Sequence, residues 1–329
     1  MSASNNSKIA DNIKKYRGKL GISQDKLSKL ADVTYNTIIK IESGANINPT
    51  IETLSKIAKA LNVGVDDLIS WNNMTSAETK NLVHNLQLRL KKVANKKTKE
   101  WWERYIKHDT IFRGVGIPQI REELKQWRAK ERIDTLSPND QLDLAISFFA
   151  EKYAEDKLAG VLFLQYYLYN KLDWKLLILR FEKIFDNKYI YDWNVCDWFC
   201  VRVLGPMIKE NGVPCAKAIS KWSTSKNVWQ ARASVVAFAN YTKHSQYKLL
   251  ILGSCSKLIR REERFAKTAV GWILRELSKT DKKAVVAFIE KHARYFSKES
   301  LENGIKSLSL FEKEKLREYA NSFQKVWNI

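Results

Sequence analysis

Residues 191–200 read YDWNVCDWFC, and Asp197 stands there among Trp193, Trp198 and Phe199. An ionised carboxylate in such surroundings is costly unless it has a partner or a task. The i,i+4 spacing puts the Trp193 indole and the Asp197 carboxylate on one helix face, with Val195, Cys196, Phe199 and Trp198 turned inward. A fixed carboxylate can stabilise developing positive charge and orient an attacking water. Flanking indoles add attraction for a cation and keep bulk water out. Two other stretches join this one. In NVWQARA (227–233) Arg232 is charged amid small apolar residues. In FAKTAVGWILRE (265–276) Trp272 and Arg275 share a face at i,i+3, and Gly271 is expected to thin the helix beside the ring.

These side chains need a helical scaffold. The 329 residues contain few glycines (12) and prolines (5), which argues for an all-α chain. Between residues 139 and 303 helix follows helix: 139–154, 156–170, 173–186, 190–203, 213–221, 227–241, 246–256, 262–278, 281–294 and 297–303. Units of roughly 35–40 residues joined by short polar turns are the pattern of an α-solenoid of HEAT-like helix pairs. Upstream, a helix from about Ser76 is read as continuing into the basic run LKKVANKKTKE. Gly114, Gly116 and Pro118 interrupt two helices in the next stretch.

The first seventy residues have a different design. Ile9, Ile13, Tyr16 and Leu20 space an amphipathic helix over 8–20, which Gly21 stops. Ser23 caps a second helix, Thr34 a third ending at Ser43-Gly44, and Pro49-Thr50 opens a fourth. A fifth starts near Val65. Two short helices across a tight turn have helix-turn-helix geometry, the second helix entering the major groove. Residues 71–75 read as a linker, giving a small five-helix domain over 1–72 and the solenoid over 73–329.

The formal charge is +21. Residues 1–72 hold ten Lys/Arg against seven Asp/Glu, and the remainder 47 against 29. A charge of this size predicts attraction to a polyanion, most simply nucleic acid. No long apolar run or leader is visible, and four scattered histidines with no CxxC make a metal site unexpected. Cys196, Cys200, Cys215 and Cys255 suit a reducing cytosol as small core residues.

Two resemblances sharpen this. ISQDKLSKLADVTYNTIIKIESGANINPTIETLSKIAKALNV resembles the XRE/Cro-type helix-turn-helix family, a likeness spanning 7–70. It implies that Gln24 holds a phosphate from a helix N-terminus, and that Tyr35, Asn36, Thr37 and Lys40 face bases or backbone. With few basic residues the domain should bind weakly unless it forms a homodimer or the rest of the chain helps. Over about 78–325 the chain resembles the AlkD/AlkC-type DNA alkylation-repair glycosylases. FRGVGIPQIR (112–121), AEDKLAGVLFLQ (154–165), the Trp/Asp helix and above all KTAVGWILRE carry that likeness. It implies that Asp197, Trp193 and Trp272 line the DNA cleft, and that Arg232 and Arg275 bind the backbone around a lesion.

The implied activity is a monofunctional glycosylase on duplex DNA that releases cationic 3- or 7-alkylated purines, without flipping the base, without cofactor, in the cytoplasm at the nucleoid. Asn194, where an acidic residue is expected, and Gly116, where a polar one is, depart from the pattern and bear on substrate range. The alternative is a regulator whose solenoid senses a protein or a DNA structure and catalyses nothing. The retained Asp197, Trp193 and Trp272 favour the enzyme.

Overall fold

The computed structural model describes residues 3–46, 49–65, 68, 74–107 and 110–325. They form two compact units, Met1–Glu78 with Asp134–Gln141, and Thr79–Ile133 with Leu142–Ile329. No strand forms among them; one isolated parallel bridge joins Ile111 and Tyr153.

The first unit holds α1 (Ala3–Lys19), α2 (Gln24–Leu30), α3 (Tyr35–Glu42) and α4 (Ile51–Leu61). The caps are those the sequence calls for. The side chains of Ser23, Thr34 and Thr50 accept the backbone N–H groups of Lys26, Thr37 and Thr53, each satisfying a donor the helix leaves open. Ile13, Leu27, Ile38, Ile41, Leu54, Ile57 and Leu61 close over one core. Beneath it Glu42 is almost fully buried and takes both nitrogens of an Arg17 fork, at 2.7 and 2.9 Å. The fifth helix and most of the linker fall outside the described residues.

The second unit takes in α5 (Ser76–Val93) from Thr79 onward, α6 (Lys96–Ile106), α7 (Ile117–Lys130) and the end of α8 (Pro138–Ser147) from Leu142. It goes on through α9 (Ala154–Phe163), α10 (Trp174–Asp186), α11 (Trp193–Phe199), α12 (Gly205–Lys221) and α13 (Val228–Val236). α14 (Lys248–Leu258), α15 (Arg264–Ser278), α16 (Lys282–His292), α17 (Lys298–Ile305) and α18 (Leu310–Lys325) complete it. α9, α11, α13, α15 and α17 pack in sequence as one row, backed by α10, α12 and α14 and then by α16 and α18. The row's helices begin at residues 154, 193, 228, 264 and 298, so the helix-pair repeat is present and the fold is an α-solenoid.

Three features differ from the sequence reading. The basic run is not continuous with α5: the chain breaks at Asn95, whose side chain caps α6 by accepting Thr98 N–H at 2.8 Å. The Asn95 N–H also donates to Gly114 O. A Cβ on Gly114 (φ +100) would sit 2.2 Å from Asn95 O, so this crossing requires glycine. Second, α9 and α11 each open into a π-helical turn, Leu164–Leu168 and Cys200–Leu204, and the second runs on into α12. Third, Gly271 does not thin α15 beside Trp272. It lets α17 approach, since a Cβ there would lie 2.4 Å from Ser300 O.

The two loop motifs of the solenoid's start meet each other. Glu155, wholly buried at the beginning of α9, accepts the backbone N–H groups of Arg113, Gly114 and Val115 at 2.8–3.1 Å. Asp156 beside it pairs with Arg113 and accepts from Gln87. Burial pushes the Asp156 carboxyl up to about 6, against the pull of Arg113. FRGVG and AEDK are therefore two halves of one joint.

Candidate active site

α11 begins at Asp192, whose Oδ1 accepts Val195 N–H at 2.9 Å, and packs between α9 and α13. The segment from Trp193 to Arg202 forms one wall of a cleft of about 510 Å³. Trp193, Asn194, Asp197, Trp198, Val201 and Arg202 line it from this side; α6 supplies Trp101, Trp102 and Tyr105, and α15 supplies Trp272. Two helices far apart in sequence, α11 and α15, thus bring Asp197, Trp193 and Trp272 to one cleft.

The aromatic side of the cleft is layered. Trp193 meets Tyr105 edge-on at 5.5 Å between ring centroids. Tyr105 stacks on Trp101 at 5.2 Å, and both rings are about half exposed. Behind them Trp102 stacks on Phe112 at 5.5 Å, so the buried loop that Glu155 holds supports the wall. Helical spacing in the sequence does not set WWERY (101–105) apart from ordinary helix. The signal was there: exposed aromatics one turn apart on a lysine-rich helix are candidates for contact with a ring or a cation.

Asp197 is held from behind by Arg232, with Nε donating to Oδ1 at 2.7 Å and Nη2 to Oδ2 at 2.8 Å. The side chains are 12% and 6% exposed. Burial pushes the Asp197 carboxyl above the usual carboxylate range, and Arg232 pulls it back. Burial works to lower Arg232 too, but Asp197 outweighs it and the guanidinium is held above its ordinary value. The pair is an ion pair, and Asp197 is the carboxylate that lines the cleft.

Several expected positions move. Arg232 was expected on the DNA backbone; instead it is buried, and its Nη1 donates to Phe265 O at 2.8 Å and to Thr268 Oγ1. A phosphate would have to displace Asp197 to reach it. Trp198 was expected to pack inward; it is half-buried and lines the cleft. Arg275 lies outside the cleft lining, donating to Asn303 Oδ1 at 2.7 Å and pairing with Glu276. Asn194 is 3% exposed, and its Nδ2 has no partner among the described residues. Cys196, Cys200, Cys215 and Cys255 are free thiols and all buried.

On the first unit, Tyr35, Asn36 and Lys40 stand exposed along α3. Thr37 is half-buried and shares a hydrogen bond with the cap hydroxyl of Thr34. Gln24 gives one N–H to Glu42 Oε2 at 2.7 Å, and an amide nitrogen has two. Burial works to raise the Glu42 carboxyl, but the bonds from Arg17 and Gln24 prevail and hold it below its ordinary value.

A family model described as DNA alkylation repair enzyme matches residues 86–308, and a helix-turn-helix model matches residues 13–68. The chain belongs to the DNA alkylation repair enzyme family. A solved structure described as a predicted DNA alkylation repair enzyme from Enterococcus faecalis superposes with a TM-score of 0.56 at 18% identity, covering 66% of this chain and 97% of that one. That likeness establishes the fold. The HTH-type transcriptional regulator SinR of Bacillus subtilis (strain 168) is 28% identical over 126 residues, 38% of this chain and 97% of the regulator. An uncharacterized HTH-type transcriptional regulator of Archaeoglobus fulgidus is 33% identical over 61 residues, 18% of this chain and 86% of its own. The chain is therefore a family member that carries a helix-turn-helix domain. Among the described residues no cluster of His, Cys, Asp and Glu could hold a metal ion, and no helix is long and apolar enough to cross a membrane.

Proposed function

We propose that this protein is a monofunctional DNA glycosylase that hydrolyses the N-glycosidic bond of cationic 3- or 7-alkylated purines in duplex DNA. Residues 73–329 form the glycosylase domain, and residues 1–72 a second DNA-binding module that presents Gln24, Tyr35, Asn36, Thr37 and Lys40. The observation that carries the reading is Asp197, fixed by a bidentate Arg232 at the wall of a cleft between Trp193 and Trp272.

The chemistry follows from charge. A purine alkylated at N3 or N7 is a cation, and departs as a neutral base once the bond to C1′ breaks, so no general acid is needed. The bonding electrons go to the base, and positive charge passes to the sugar as an oxocarbenium-like centre. Asp197 stabilises that charge and orients the water whose oxygen bonds to C1′ and whose proton passes to solvent. Trp193 and Trp272 hold the cationic base and exclude bulk water. Arg232 is a positioning residue: its fork fixes both carboxylate oxygens and keeps them ionised. Arg275 is placed near the backbone by the resemblance alone.

The test is release of free base from a duplex containing 7-methylguanine, with Asp197→Asn beside the wild type. A drop of about 10²–10³ in the single-turnover rate is expected, the size seen when a preorganised electrostatic group is removed. Release that persists unchanged in the variant takes Asp197 out of the chemistry. Absence of release from any cationic lesion, with duplex binding kept, points to the non-catalytic regulator.

A further inference from the structure

Trp198 and Arg202 lie within the cleft but have no part in the mechanism above. An unbroken α-helix would turn Arg202 away from Asp197, five residues earlier. The π turn at Cys200–Leu204, closed by Gly205 N–H donating to Cys200 O, brings residues five apart toward one face. Arg202 and, in the α-helical turn before it, Trp198 both line the cleft. The Arg202 guanidinium carbon lies 5.0 Å from the centre of the Trp198 ring, and the side chain is half-buried. Among the described residues no carboxylate or carbonyl takes its N–H groups.

The charges of the cleft make this unusual. Its lining contains one carboxylate, Asp197, and one cation, Arg202. Asp197 is already answered from behind by Arg232, so Arg202 leaves an unbalanced positive charge facing the space where a cationic base is to sit. A cationic base cannot balance it. A phosphodiester can, and a planar fork of N–H donors matches its two free oxygens.

We propose that Arg202, braced on the Trp198 ring, binds one backbone phosphate beside the lesion. The inference rests on the cleft being the lesion-facing surface. It gives the pair two effects: the phosphate sets the register of the strand, and once bound it cancels the positive charge of Arg202 that would otherwise repel a cationic base.

The experiment uses the full chain and duplexes with a central tetrahydrofuran abasic analogue, their phosphates replaced one at a time by neutral methylphosphonate, with affinity read by gel shift. Wild type is expected to lose about tenfold at one linkage, the worth of one charge-assisted contact. Arg202→Gln loses about tenfold on the unmodified duplex and nothing more at that linkage. Arg202→Lys retains part of the dependence, because it keeps the charge and loses the fork. Contributions from residues 1–72 are common to all three proteins and cancel in the ratios. Equal losses by wild type and Arg202→Gln at every linkage, in variants with unchanged melting curves, overturn the proposal. Base release from 7-methylguanine duplex by the same wild-type preparation separates the two readings. No release with the phosphate signature present removes the glycosylase and keeps the clamp; release without the signature does the reverse.

Discussion

Asp197 and Arg232 divide one task between a reacting oxygen and a buried anchor, and the division has a pH signature. Asp197 must be ionised to act, and burial places its carboxyl above the ordinary carboxylate range. Base release should therefore fall as pH drops, with a midpoint higher than a solvated aspartate would give. In Arg232→Gln the pull of the guanidinium is gone, so the acid limb should move to higher pH, as a pH–rate profile on the 7-methylguanine duplex would show. A midpoint that does not move would remove Arg232 from its positioning role. The same variant should lose roughly 3–5 kcal/mol of stability in a denaturant melt, since it leaves a buried charge unpaired. Helical spacing in the sequence puts Trp193 and Asp197 on one face; Trp272, on another helix, is joined to them only by the family resemblance. Arg232 was legible as important but misassigned, since a charge among small apolar residues reads equally as a surface contact or a buried partner. Only the position of Asp197 decides between them.

At the scale of elements, what the sequence concealed is where helices stop being regular. In ANKKT only Asn95, a residue type that caps helices, signals a break; the break is fixed by Gly114, well downstream, whose backbone packs against it. Gly114→Ala should cost about 3 kcal/mol or more, from a forced contact combined with a left-handed backbone. Gly253→Ala in α14, with nothing within 4 Å of a new Cβ, should instead stabilise by about 0.5–1 kcal/mol. Thermal melts of the two variants should move in opposite directions. The π turn after Phe199 was likewise hidden, because VRVLG has no spelling that distinguishes it from α-helix, and so nothing in the sequence pattern brought Arg202 to the cleft. The joint between Glu155, Asp156 and the FRGVG loop can be tested by pH. The Asp156 carboxyl is raised to about 6, so its neutral form is the one the fold favours. Its contribution is complete at low pH and is lost as pH rises through about 6. The melting temperature of wild type relative to Asp156→Asn should therefore climb as pH falls from 7 to 5; a difference flat with pH would show Asp156 to be ionised throughout.

The whole molecule joins a family fold to a helix-turn-helix domain, and most of the formal charge of +21 lies beyond residue 72. Duplex binding should weaken steeply with salt, as expected when several phosphates are neutralised. Tyr35→Ala should weaken duplex binding without changing the single-turnover release rate at saturating protein. A lower release rate in that variant would mean that the two modules do not act separately. The fold class and the two-module plan were legible because cap residues and the helix-pair period repeat along the chain. The cleft was only partly legible, because its α6 wall is formed by tertiary approach rather than by any local pattern. That wall has one more consequence. Five of the eleven tryptophans line this single cleft, and residues 1–70 contain none. Indole emission is thus a built-in, label-free gauge of cleft occupancy. A lesion-bearing duplex should quench or shift it, while an undamaged duplex held only by the helix-turn-helix domain leaves it unchanged.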